Sequence, residues 1–209
     1  KKIKMYQPKD FKDWLFLDVE TVSITETLDQ LPEVLGSHAL NHWANKAKYK
    51  RANDPDSAQL SDAEMYTRWA SVFPEFSKII TISVGQIKWD ETQPIPKIRS
   101  IYNKSEAEIL TEFMDIMQKI FQANMNAKIA GHNVKYFDLP CVLKRSVVHG
   151  VDVPENLHLQ KAKPWALPLV DTAEIWKFGN YAGGASLSLI TDLLGLPSSK
   201  DNMDGSEVT

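Results

Sequence analysis

The stretch Trp14 to Ser23 reads WLFLDVETVS: mostly apolar residues run straight into two acids separated by one valine. Asp13 to Val19 is expected to form a central strand, apolar on both faces as in a sheet covered from two sides. Side chains alternate along a strand, so Asp18 and Glu20 share the face of Phe16. At the end of a central strand they would converge on the crevice over the sheet where α/β ligand sites lie. Two ionised carboxylates about 4 Å apart repel by roughly 4 kcal/mol at an effective dielectric of about 20. A hard divalent cation removes that repulsion, and oxygen ligands of this kind suit magnesium or manganese. The competing reading is structural: Asp18 caps a turn and Glu20 is merely exposed.

Outward from this strand, Thr21 to Ser77 is expected to be a helical insertion. TLDQLPEVLGSHALNHWANKAKYKRA and SDAEMYTRWASVFPEF carry helical spacing, interrupted at Pro32, Gly36 and the DPDS turn, Asp54 to Ser57. KIITISVGQIKW alternates as a strand, DETQPIP (Asp90 to Pro96) is turn material, and KIRSIYN is a second strand. The two are expected to form a hairpin beside the first strand. Ser105 with Glu108 makes a capping box, and apolar residues from Ile109 to Phe121 then recur at helical spacing to about Asn124. A short strand, AKIAGHN, leads to the helix LPCVLKRSVVHG, closed by Gly150. PLVDTAEIW follows proline-rich sequence, and the helix SLSLITDLLG is entered through Ser186 or Ser188 and closed by Gly195. Strands first in an antiparallel group and then alternating with helices indicate one α/β domain with a mixed sheet.

The second chemical signal is IAGHNVKYFDLPCVLKRSVVHGV, which sets Gly131, His132 and Asn133 at a strand end and Phe137, Asp138 and Pro140 at a helix start. Taken alone, Asp138 reads as a helix cap and His132 as a hydrogen-bonded structural histidine. A third feature is KAKYKR, Lys46 to Arg51, with Trp43 and Tyr49 close by. Cations interleaved with aromatics can track a phosphate backbone and stack bases; a solvated helix face with ordinary aromatic packing accounts for it equally well. Lys135, Lys144, Arg145 and Lys177 are further cations that could meet phosphate.

Composition sets the outer limits. The 209 residues suffice for one substantial domain, and 43% hydrophobic with 24% charged residues is ordinary for a globular chain. A net charge of -3 gives no global attraction to nucleic acid or anionic lipid, although local patches act independently of the total. The single cysteine, Cys141, excludes an internal disulfide framework and fits a reducing compartment. No apolar run approaches the roughly 20 residues needed to cross a bilayer. The opening KKIKMYQPKDFKDW lacks the apolar block of a signal peptide, so a cytoplasmic location is expected.

Jointly, DVET and NVKYFD change the weight of each. The chain resembles the DEDD superfamily of 3′–5′ exonucleases, with a ribonuclease H-like fold, and within it the predicted 3′–5′ exonucleases related to family B DNA polymerases. The family's acid-x-acid-Thr motif stands as DVET and its Asn-x-x-x-Phe/Tyr-Asp motif as NVKYFD. Softer matches are PEFSKIITISVGQI, SEAEIL, LVDTAEIW and SLSLITDLLGLPSSKDNMDGSEV, in the family's order. The resemblance implies Asp18, Glu20 and Asp138 as catalytic residues and metal ligands for two divalent ions, Mg2+ or Mn2+. It implies hydrolysis of phosphodiester bonds from the 3′ end of single-stranded DNA. Thr21, His132, Asn133 and Phe137 would then support the site or contact the terminal nucleotide. An inactive nucleic-acid-binding module on the same fold, or an exoribonuclease, are the alternatives.

The family's third motif, Tyr-x-x-x-Asp or His-x-x-x-Asp after the SLSLITDLLG helix, is not in these 209 residues. Asp171, Asp192, Asp201 and Asp204 lack the partner four positions earlier. Either the protein continues beyond Thr209 or it is a degenerate relative. A continuing protein is expected, because the family pattern is intact up to DGSEV.

Overall fold

In the computed structural model, which describes residues 8–90, 93–158, 168–181 and 183–197, WLFLDVETVS forms a single strand, β1 (Trp14–Ser23). Trp14, Leu15, Leu17 and Val19 are buried, Phe16 and Glu20 half-buried and Asp18 exposed. The strand therefore runs past its acids instead of ending at them.

The chain divides into two compact units, residues 21–79 and the remainder. The first holds α1 (Leu31–Leu35), α2 (Ala39–Asn53) and α3 (Asp62–Trp69). Its core is built round the fully buried Trp43, with Tyr66 and Phe76 edge-on at ring-centre distances of 5.0 and 5.1 Å. The Trp43 indole N–H donates to the Asp62 carbonyl at 2.8 Å, which satisfies the one polar atom the ring buries. Ser61 and Glu64 form a capping box at the start of α3.

The second unit carries most of the sheet: β2 (Ser77–Trp89), β3 (Pro94–Ile101), β4 (Lys128–Gly131) and β5 (Leu169–Asp171), in the order β3-β2-β1-β4-β5. The hairpin β2–β3 is antiparallel and lies beside β1, while β1–β4 and β4–β5 are parallel. Strand β3 starts at Pro94, inside the segment expected to be a turn. It is an edge strand, where a residue without an N–H can face outward at no cost to the ladder.

Between the strands run α4 (Glu106–Ala123) and α5 (Asp138–His149), and α6 (Thr172–Lys177) and α7 (Leu187–Leu193) follow β5. Helix α4 opens on the Ser105–Glu108 capping box and buries Ile109, Leu110, Phe113, Met114, Met117 and Phe121. It covers the Leu15 face of the sheet, where Leu15, Ile116 and Ile120 line a shared cleft. Arg145 of α5 is buried and paired with Glu106 of α4 at 2.6 Å, and His149 bonds the same carboxylate at 2.7 Å. On the opposite face Trp14, Ala130 and Val170 pack with Phe11 and Phe16. Gly150 closes α5 with φ +65°, and Ser186 caps α7 through the Leu189 N–H. The fold is α/β, a mixed five-stranded sheet flanked by helices, consistent with the ribonuclease H-like exonuclease fold. Asp201, Asp204 and the closing DGSEV lie outside the described residues.

Candidate active site

The site begins where β4 stops. The register pairs Trp14 with Lys128 and Phe16 with Ala130, and β4 ends at Gly131. Gly131 is held so close to β1 that a Cβ there would stand 2.8 Å from the Leu17 carbonyl oxygen and 2.9 Å from Val134 Cβ. Only glycine fits without displacing backbone. Along the β1 edge that faces β4, hydrogen-bonding groups recur every second residue, so the next donor after the Leu17 position is the Val19 N–H. No β4 residue reaches it. The Asp138 carboxylate takes its place, accepting the Val19 N–H through Oδ1 at 3.0 Å.

That bond fixes what Asp138 does. The residue is the first of α5, and the N-cap position belongs to Phe137, which makes no side-chain capping bond. The carboxylate reaches across to the strand and is tied to the valine between Asp18 and Glu20. It is only 4% exposed. Burial pushes its pKa up from the ordinary 3.8 to about 7, and the negative charge of Asp18 adds to the push. Its own N–H and that of Val19 pull the other way, and Asp171 contributes a smaller repulsion. Asp18 and Asp138 thus act on each other electrostatically, as two acids sharing one site do.

The turn from Gly131 to Asp138 is organised by Asp171, a residue the sequence reading left without a role. Asp171 lies opposite Gly131 in the β4–β5 register and is 5% exposed. Its Oδ1 accepts the N–H of Asn133 and of Ala173, both at 2.9 Å, and its Oδ2 accepts the Lys135 N–H at 3.0 Å. Held this way, Asn133 adopts a left-handed backbone (φ +63°), and its carbonyl accepts the N–H groups of Tyr136 and Phe137 at 3.0 Å. The signal available in the sequence was an aspartate at a strand end directly ahead of a short helical stretch, DTAEIW, the place of an N-cap.

The supporting residues divide. His132 Nε2 donates to the Ala185 carbonyl at 3.0 Å, which leaves Nδ1 to meet the Thr172 hydroxyl at 3.0 Å. The ring ties the turn to the segment ahead of α7. The Asn133 side chain is exposed and Phe137 is half-buried at the entry to α5. The Thr21 hydroxyl donates to the Ser71 carbonyl at 2.8 Å within the 21–79 unit. In the KAKYKR segment the structure shows mostly contacts within the unit, while Lys48 and Tyr49 are exposed. Trp43 is fully buried, Lys46 pairs with Glu75, Arg51 pairs with Asp62, and Lys50 lies 3.7 Å over the Trp69 ring. Lys46, Lys50 and Arg51 thus have partners within the unit.

The donor set of Asp18, Glu20 and Asp138 is carboxylate oxygen throughout, which suits hard divalent cations over zinc or copper. The mutual repulsion of Asp18 and Asp138 is what a cation would relieve. Among the described residues, no three His, Cys, Asp or Glu side chains are already drawn together tightly enough to hold a metal ion. Also among the described residues, no helix is long and apolar enough to cross a membrane.

No curated protein matches the chain. Residues 72–209 match a family described as predicted 3′-5′ exonuclease related to the exonuclease domain of PolB. The matched region starts after β1 and includes the Gly131–Asp138 turn, Asp171 and α7. It spans well over half of the sequence, and the chain therefore belongs to the family of predicted 3′–5′ exonucleases related to the exonuclease domain of PolB.

Proposed function

We propose that the chain is a metal-dependent 3′–5′ exonuclease acting on single-stranded DNA. It is read as one catalytic domain bearing the helical insertion after its first strand, in the cytoplasm. The observation that carries the proposal is the Asp138–Val19 bond, which ties a buried carboxylate to the backbone between Asp18 and Glu20 where the β1–β4 ladder ends. Asp18, Glu20 and Asp138 would hold two divalent ions, magnesium or manganese. When bound, such ions activate the attacking water and stabilise charge on the phosphoryl group and the leaving 3′-oxygen. The protein's own part is positional. Val19 fixes one oxygen of Asp138, and Asp171 holds the turn that delivers it. His132, Asn133, Phe137 and Thr21 are proposed to border the terminal nucleotide.

A second reading, a silent nucleic-acid-binding module, is favoured by the absence of a gathered three-acid group among the described residues. The test is incubation of a 5′-labelled single strand with the protein and magnesium or manganese. Stepwise shortening, abolished by Asp18→Ala, is the expected result. Retained binding with no shortening in either metal selects the silent module, and equal shortening by Asp18→Ala removes the site.

A further inference from the structure

We propose that the exposed ring of Tyr136, flanked by Lys135 and Lys177, is a stacking platform for a base of single-stranded nucleic acid. It would take a nucleotide next to the one at the acids, and to that extent it rests on the reading above. Tyr136 lies two residues before Asp138, in the turn held by Asp171. Its backbone N–H is bonded to the Asn133 carbonyl at 3.0 Å, yet the residue is 59% exposed.

The ring is fixed from its far end. The Tyr136 hydroxyl donates to Glu174 Oε1, the same oxygen that accepts Lys135 Nζ at 3.0 Å. The Lys135 ammonium, 5.1 Å from the ring centre, therefore stands towards the hydroxyl end and leaves ring surface open. Lys177 Nζ is 6.0 Å from the same centre. Glu174 acts on both ammonium groups but holds only Lys135 by hydrogen bonds, which leaves the Lys177 ammonium able to meet a phosphate. Phe178, adjacent to Lys177, is 83% exposed with a left-handed backbone, φ +46°.

The Glu174 bond holds the ring in place while most of the residue stays in water. A held, exposed ring with the Lys177 ammonium near it fits a base stacked on the aromatic with its phosphate against the ammonium, an arrangement tolerant of sequence because every base has a π-face. Lysines of this kind also make binding salt-dependent through counterion release.

The experiment is fluorescence anisotropy of labelled oligodeoxythymidine and oligouridine with the full chain in chelator, where no hydrolysis intervenes. Tyr136→Ala is expected to weaken binding roughly 5- to 150-fold, the range for loss of one stacked base. Tyr136→Phe, which keeps the ring, should stay within about threefold. Lys177→Gln should reduce the salt slope by about 0.7. Binding by Tyr136→Ala equal to that of the parent, with an unchanged circular dichroism spectrum, overturns the proposal, as does failure of the parent protein to bind either strand. Shortening of strands with manganese is scored separately. Tyr136-dependent binding without shortening keeps the platform and removes the exonuclease, whereas shortening with a neutral Tyr136→Ala does the reverse.

Discussion

Asp138 is costly to ionise because the fold buries it and sets another acid beside it. In the unfolded chain its pKa is near 3.8, and in the folded metal-free chain it is about 7. Between those values the folded state binds more protons than the unfolded state. Its unfolding free energy therefore falls as pH rises through about 7. Urea unfolding in chelator should show the parent losing about 2 kcal/mol between pH 5.5 and pH 8 from this residue. Asp138→Asn, which keeps an acceptor for the Val19 N–H but carries no charge, should lack that part of the pH dependence. Equal pH dependence in both proteins would show that Asp138 is not the group responsible. Asp171 behaves differently, because its two oxygens face three N–H donors. In Asp171→Asn at least one donor meets an amide NH2 or loses its acceptor, and a destabilisation of about 2–3 kcal/mol is expected from the unfolding midpoint. These residues also mark how far the sequence could be read. DVET and NVKYFD lie far apart along the chain, and the structure joins them at one bond, from the Val19 N–H to Asp138. Asp171 was passed over because a spacing rule sought a partner along the chain, while its partners are backbone groups brought in by the adjacent strand.

At the scale of elements, local rules worked where the signal was local. The Ser105–Glu108 box opens α4, Gly150 closes α5 and Ser186 caps α7, each with the geometry its residue type favours. They failed where sheet position decides. Nothing in DETQPIP reveals that Pro94 and Pro96 belong to an edge strand, and nothing in WLFLDVETVS reveals that the strand outlasts its neighbour by several residues. That overhang leaves the Val19 N–H open to Asp138. Gly131 is the hinge of the arrangement. In Gly131→Ala the new methyl must push β4 from the Leu17 carbonyl, costing about 1–3 kcal/mol. Thermal unfolding should register the loss, and the pH dependence attributed to Asp138 should shrink as the Val19 bond loosens. A variant as stable as the parent would mean that β4 has room the distances deny.

For the molecule as a whole, the helical segment has its own core and the sheet has another. Trp43→Ala removes the ring round which the first is packed and should cost about 3–5 kcal/mol. Hydrogen exchange should show protection lost across residues 21–79 ahead of β1, β4 and α5; uniform loss would mean that the two cores unfold as one. The sequence marked that segment as helical but left KAKYKR open, because pairing with Glu75, Asp62 and Trp69 depends on residues distant along the chain. The function turns on whether the acids of the sheet unit accept a cation, and manganese binding followed by electron paramagnetic resonance of the free ion tests that most directly. Saturable binding by the parent at pH 7.5, accompanied by a rise in thermal midpoint and lost in both Asp18→Asn and Asp138→Asn, is the predicted result. Binding that survives both substitutions, or a parent that takes up no manganese, would contradict it.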